Sequence, residues 1–167
     1  MPEKKTVGVV GCGLMGSGIA QVCAEAGHNV IVREVNDAAL AKGLASIDKF
    51  LGKAVEKGKA TAEKKAEVMG RLKGTTKLED LSACDIIIEA VVENIALKHE
   101  TFGALNKICG KDTIFASNTS SLSITEMAAG SGRADRFVGL HFFNPVPLMK
   151  LVEVVRGTLT SPEVFET

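Results

Sequence analysis

A run of β-branched residues, Thr6-Val-Gly-Val-Val10, passes through Gly11-Cys12-Gly13-Leu14-Met15-Gly16 directly into an apolar, helix-like stretch that Gly27 closes. Few chain geometries accommodate that order. Gly11 permits a tight turn, Gly13 lacks the Cβ that would block a close-approaching group, and Gly16 lets the helix pack against the strand. The G-x-G-x-x-G spacing is weak evidence in isolation, because glycines also serve turns and packing. Here it sits between a strand and a helix, and an acid, Glu34, ends the next strand, Asn29–Arg33, as a dinucleotide-binding βαβ unit requires. The backbone N–H groups of the turn, with Leu14 and Met15 between the last two glycines, would then receive the phosphates at the positive end of the helix dipole. Glu34 would accept hydrogen bonds from ribose hydroxyls and repel a 2′-phosphate, which favours NAD. The guanidinium of Arg33 next to it keeps NADP open.

The rest of the chain continues the alternation. Leu40, Leu44, Ile47, Leu51 and Val55 recur at three or four residues and predict one long amphipathic helix. Gly58 stops it, and a second helix is expected from Thr61 to about Leu72, so residues 38–72 read as a helical hairpin inserted in a crossover. Asp85-Ile-Ile-Ile-Glu-Ala-Val is too apolar for a half-exposed strand and suits a central parallel one. Helices are expected at Leu97–Ile108 and Ile124–Ala129, and strands at Thr113–Ala116, Val138–Phe143 and Leu151–Val155. The fold class is α/β: a Rossmann-type, doubly wound, mostly parallel sheet with right-handed crossovers.

Composition removes other classes. Twenty Lys+Arg balance twenty Asp+Glu, which argues against nucleic acid or an anionic membrane as a partner held by bulk attraction. No apolar run approaches the ~18 residues of a membrane span. The opening Met1-Pro2-Glu3-Lys4-Lys5 has no apolar signal segment, and the four cysteines show neither disulfide nor zinc spacing, so a cytoplasmic setting without a bound metal is expected. Thr160-Ser161-Pro162-Glu163 is a helix-opening signal only four residues before the end, where no isolated helix is stable. The expectation is a segment of a longer chain.

Of three histidines, His28 follows Gly27 in a turn and is expected to cap or face solvent, and His99, between Lys98 and Glu100, to lie on the surface. His141 lies in Val-Gly-Leu-His-Phe-Phe-Asn-Pro at the end of a late strand, the edge at which open α/β sheets place ligands. A histidine among apolar residues is more often a satisfied core residue. Glu153 changes that balance: it lies in Leu-Val-Glu-Val-Val, where an unpaired charge would be costly, and the turn at Asn144-Pro-Val-Pro147 could fold it beside His141. A carboxylate on one imidazole nitrogen orients the ring as a general base requires. Ser117-Asn-Thr-Ser-Ser121 ends another strand at the same edge; Ser121 or Ser123 is expected to cap the next helix, leaving Ser120 for a substrate oxygen.

The segments Gly-Cys-Gly-Leu-Met-Gly-Ser-Gly-Ile-Ala-Gln (11–21), Ile-Glu-Ala-Val-Val-Glu-Asn (88–94), Ala-Ser-Asn-Thr-Ser-Ser-Leu (116–122) and His-Phe-Phe-Asn-Pro-Val-Pro-Leu-Met-Lys-Leu-Val-Glu-Val (141–154) together resemble the 3-hydroxyacyl-CoA dehydrogenase family, its bacterial 3-hydroxybutyryl-CoA members above all. The last two motifs are specific. The resemblance implies an oxidoreductase interconverting (S)-3-hydroxyacyl-CoA and 3-ketoacyl-CoA with NAD(H), in fatty acid or butyrate metabolism. His141 would be its base, Glu153 the partner of His141, and Ser120 a contact to substrate and cofactor. Glu93, Lys98 and Asn144 would line the nicotinamide half, and the hairpin would reach toward coenzyme A. Lys49, Lys53 and Lys57 share a helix face toward its phosphates, Lys57 foremost, although a solvated charged face explains them equally well. Residues 1–167 would be the cofactor domain; the family's C-terminal helical domain, through which a homodimer forms, is missing, so weak turnover is expected of this segment alone. The alternatives are a non-catalytic nucleotide-binding or recruited structural protein of the same fold, and another Rossmann dehydrogenase class.

Overall fold

A computed structural model describes residues 4–167; Met1–Glu3, on which part of the reading of the amino terminus rests, lie outside the described residues. Seven strands form one sheet among the described residues: β1 (Thr6–Val10), β2 (Asn29–Arg33), β3 (Leu72–Thr75), β4 (Ile86–Glu89), β5 (Ile114–Ser117), β6 (Phe137–Phe142) and β7 (Val152–Arg156). Their spatial order is β3-β2-β1-β4-β5-β6-β7. Every neighbouring pair is parallel except β6–β7, which is antiparallel.

Helices cover both faces, which is why β1 and β4 carry apolar residues almost without alternation. On one face α1 (Leu14–Glu25), α2 (Asp37–Glu56) and α3 (Ala62–Gly70) bring Ile19, Ile47, Leu51 and Val68 into one core with Val9, Val30, Val32 and Ile88. On the other, α4 (Ile95–Ile108) and α5 (Ile124–Ser131) pack Phe102, Leu105 and Met127 on Ile87, Phe115 and Phe137. A last short helix, α6 (Pro162–Glu166), is capped by Ser161 and buries Val164. Among the described residues no helix is long and apolar enough to cross a membrane.

One expected boundary needs correction. The second hairpin helix ends at Gly70 rather than Leu72, and Leu72–Thr75 is a strand that pairs with β2 at the sheet edge. Leu-Lys-Gly-Thr has neither alternation nor a β-branched core; its partner's free edge makes it a strand. The hairpin is also less of an appendage than its length implies. Its apolar stripe is spent on the core, and Lys65 of α3 pairs with Asp48 of α2 at 2.8 Å.

Candidate active site

The strand order reverses between β1 and β4, and a crevice opens there beyond the carboxyl ends of the strands. A cleft of about 390 Å³ occupies it. Met15 lines it after β1, Ala90–Glu93 after β4, Lys98 from α4, Asn118 and Ser120 after β5, and His141–Asn144 at the end of β6. A larger hollow of about 730 Å³ lies at the opposite ends of the strands, among Asp85, Thr113 and Val164. It holds no imidazole–carboxylate pair and sits at the edge where open sheets do not bind ligands, so the smaller cleft is the candidate site.

At the glycine turn, Gly11 adopts φ +94, and a Cβ there would meet the Ala90 carbonyl oxygen at 2.8 Å. A Cβ on Gly16 would come within 1.8 Å of the Gly11 oxygen, so α1 leaves the strand at a distance only glycine allows. Gly13 has open space around it. Asn36, Thr61, Asn94, Ser123 and Ser161 cap α2 to α6 with their side chains, whereas Gly13 gives α1 none. The first-turn N–H groups of α1 thus have no side-chain or intrahelical acceptor, which fits a phosphate ligand. Glu34 lies against this turn: its Oε1 accepts from the Cys12 N–H at 2.7 Å and its Oε2 from Val35 N–H at 2.9 Å. Burial, then the nearby Glu34 charge, pushes the Cys12 thiol up to about 11. Arg33 Nε is buried without a hydrogen-bond partner.

His141 and Glu153 face each other in the β6–β7 register, and Nδ1 lies 2.8 Å from Glu153 Oε2. An ionised carboxylate only accepts, so the neutral ring carries its proton on Nδ1 and leaves the Nε2 lone pair free. The ring packs against Phe143 at 4.5 Å between centroids. Ser120 is exposed in the same cleft, and Ser123, not Ser121, caps α5 by accepting from Glu126 N–H. Asn144 also lines the cleft.

Glu93 and Lys98 are brought together as well, and Lys98 also meets a residue that motif reading left without a role. Lys98 and Glu89 are fully buried with 2.6 Å between Nζ and Oε1, and Nζ lies 3.4 Å from Glu93 Oε1. Glu89 ends the apolar run of β4, where a charge demands a partner; that was the available signal. Asn118, read only as one member of the Ser117–Ser121 cluster, has a role of its own: its Oδ1 accepts from Phe142 N–H at 2.9 Å and ties β5 to β6. Lys57 follows α2 as its C-terminal cap, exposed and away from the cleft, as are Lys49 and Lys53 on α2. His28 accepts from Lys5 N–H through Nδ1. His99 is not on the open surface: its ring lies against Gly130 of α5, and Nε2 is buried without a partner.

The family described as 3-hydroxyacyl-CoA dehydrogenase, NAD binding domain, matches residues 6–167. The chain is 50% identical over 159 residues to the 3-hydroxybutyryl-CoA dehydrogenase of Clostridioides difficile, covering 95% of this chain and 57% of that protein. With human mitochondrial hydroxyacyl-coenzyme A dehydrogenase it shares 44% identity over 169 residues, covering 98% of this chain and 54% of that one. The crystal structure of (S)-3-hydroxybutyryl-CoA dehydrogenase from Ralstonia eutropha superposes with a TM-score of 0.96 at 49% identity, covering 98% of this chain and 58% of that one. The chain thus spans little more than half the length of these relatives. On fold, motifs and identity together, it belongs to the 3-hydroxyacyl-CoA dehydrogenase NAD binding domain family.

Proposed function

We propose that this chain is the cofactor-binding part of an NAD-dependent dehydrogenase that interconverts (S)-3-hydroxyacyl-CoA, 3-hydroxybutyryl-CoA foremost, and the 3-keto thioester. The observation that carries the reading is the His141–Glu153 couple at 2.8 Å, whose imidazole lines one cleft with Ser120 beside the uncapped glycine turn. His141 Nε2 takes the hydroxyl proton, Glu153 holds the ring and stabilises its protonated form, and Ser120 donates to the substrate oxygen. NAD supplies the two-electron acceptor when bound. Gly11, Gly13, Leu14, Met15 and Gly16 receive its phosphates, Glu34 its adenosine ribose, and Glu93, Lys98, Ser120 and Asn144 its nicotinamide half. Lys57, at the C-terminal cap of α2 beyond Lys49 and Lys53, is assigned to the phosphates of coenzyme A. The same proposal places the protein in the cytoplasm and makes the full-length form a homodimer through a C-terminal helical segment.

The test uses NADH fluorescence for binding by this chain, and acetoacetyl-CoA reduction by a chain of the relatives' full length. His141→Gln is expected to bind NADH as tightly as the unmodified protein and to turn over ~10²–10⁴-fold more slowly. Near-normal turnover in that variant refutes the assignment. Binding without any turnover in the unmodified full-length protein supports a non-catalytic nucleotide-binding module instead.

A further inference from the structure

Glu89 sits where three wall segments of the cleft meet. Its Oε1 accepts from Lys98 Nζ at 2.6 Å and from Val91 N–H at 2.8 Å; its Oε2 accepts from Ser117 Oγ at 2.6 Å. Its backbone carbonyl accepts from Asn118 N–H at 2.9 Å. One side chain at the end of β4 therefore holds the β4–α4 connection, the first turns of α4 and the end of β5. Both charged groups are withdrawn from water, at 0% and 1% exposure for Glu89 and Lys98. A buried lysine can stay at one place and charged only if an equally buried counter-charge fixes it.

The remaining contacts of Lys98 differ in kind. Nζ lies 3.4 Å from both the Val91 carbonyl and Glu93 Oε1, and Glu93 is 44% exposed. Glu93 is itself held from the other side, where Oε2 accepts from Thr119 Oγ1 at 2.6 Å. Lys98 thus has one short partner and two long ones, of which the bond to partly exposed Glu93 lies on the cleft side. Such a long bond is the one a ligand acceptor can displace without stripping the ammonium of its counter-charge.

We infer that Glu89 is a positioning residue for cofactor binding: it fixes the Lys98 ammonium at the cleft so that this group, with Glu93, meets the nicotinamide half of the dinucleotide. The inference rests on the proposed function. Glu89 touches no ligand itself and acts through Lys98, while Ser117 and Val91 hold Glu89 in turn. The glycine turn and Glu34, which serve the adenosine half, make none of the Glu89 contacts. The two halves of the cofactor therefore separate the effect of Glu89 from general damage.

The experiment measures NADH and ADP dissociation constants for the unmodified chain, E89Q, K98M and E89Q/K98M. E89Q is expected to weaken NADH at least tenfold and to leave ADP within twofold, and K98M to do the same. In the double variant NADH binding should be no weaker than in K98M, because Glu89 has nothing left to position. Equal weakening of NADH and ADP by E89Q overturns the inference, as does unchanged NADH affinity or a further loss of more than threefold in the double variant over K98M. Should E89Q fail to fold, the double variant, which buries no unpaired charge, carries the comparison with K98M alone. Failure of the proposed function itself appears separately, as absence of NADH binding by the unmodified chain.

Discussion

Replacing Gly13 and Gly16 in turn by alanine separates what the glycine turn does for the fold from what it does for a ligand. A Cβ on Gly16 lands 1.8 Å from the Gly11 carbonyl oxygen, a backbone atom that cannot rotate away, where real contacts do not fall under 3.0 Å. Helix α1 must retreat from β1 by roughly an ångström, and overpacking of that kind costs about 3 kcal/mol. For a domain of this size the melting temperature should drop roughly 6–12 °C. Gly13 has nothing within 4 Å of a built Cβ and adopts φ −72, which any residue tolerates. Two small effects oppose each other there: alanine is a poorer N-cap than glycine, and it lowers the entropy of the unfolded chain by ~0.4–1 kcal/mol. Stability should change by less than about 1 kcal/mol. NADH affinity should nevertheless fall about 100-fold, since a methyl at that point forfeits charge-assisted hydrogen bonds worth about 3 kcal/mol together. Denaturation melts and NADH titration of both variants decide the matter. A Gly13→Ala protein that melts normally and binds NADH within threefold of the unmodified chain refutes the phosphate assignment.

Three further outcomes are expected. Glu153→Gln should slow acetoacetyl-CoA reduction by the full-length form about 100-fold at unchanged NADH affinity; the effect is smaller than the ~10⁴ of a buried triad carboxylate, because Glu153 is 53% exposed and water can replace it. Glu34→Ala should shift the NADH-to-NADPH affinity ratio toward NADPH about tenfold, measured by parallel titrations, because it removes the charge that repels a 2′-phosphate and leaves Arg33 beside it. The folded Cys12 thiol, held at about 11 by burial and then by Glu34, titrates above the 9.0 of an ordinary cysteine. Its contribution is complete below pH 9, where both states keep the proton, and declines from pH 9 to 11 as the unfolded chain alone ionises. Denaturation of Cys12→Ala at pH 8, 9.5 and 10.5 should show a shallower loss than the unmodified chain.

The sheet was largely legible because its central strands announce themselves by apolar runs with no alternation, and its helices by apolar spacing and the opening signals at Thr61 and Ser161. β3 was not, since an edge strand with Lys73 and Gly74 at its centre owes its conformation to β2 rather than to its own residues. In the candidate site, chemistry that sits on one segment could be read directly: the glycine spacing and the histidine at the end of a strand. The pairing of Glu153 with His141 was readable because a proline turn separates two short runs, which leaves few ways to fold back. The bond of Asn118 to Phe142 joins elements distant in sequence and leaves no local pattern, while the charge of Glu89 at the end of an apolar run calls for a partner without naming Ser117, 28 residues away. His99 was misplaced for a related reason: its charged neighbours describe one face of α4, while its own side is buried by Gly130.

The antiparallel pairing of β7 has an evolutionary corollary. Successive side chains of a strand emerge on alternate sides, so sliding β7 by a single position would turn Glu153 away from the imidazole and bring Val152 or Val154 opposite it. In the loop of nine residues between the two strands, Phe143 and Asn144 belong to the site and Val146 to the core, so composition can drift only in the exposed residues 148–151. Insertions that alter the phase would part Glu153 from His141 without unfolding the chain. Length polymorphism in related chains should therefore collect inside that loop and stay out of the ladder itself.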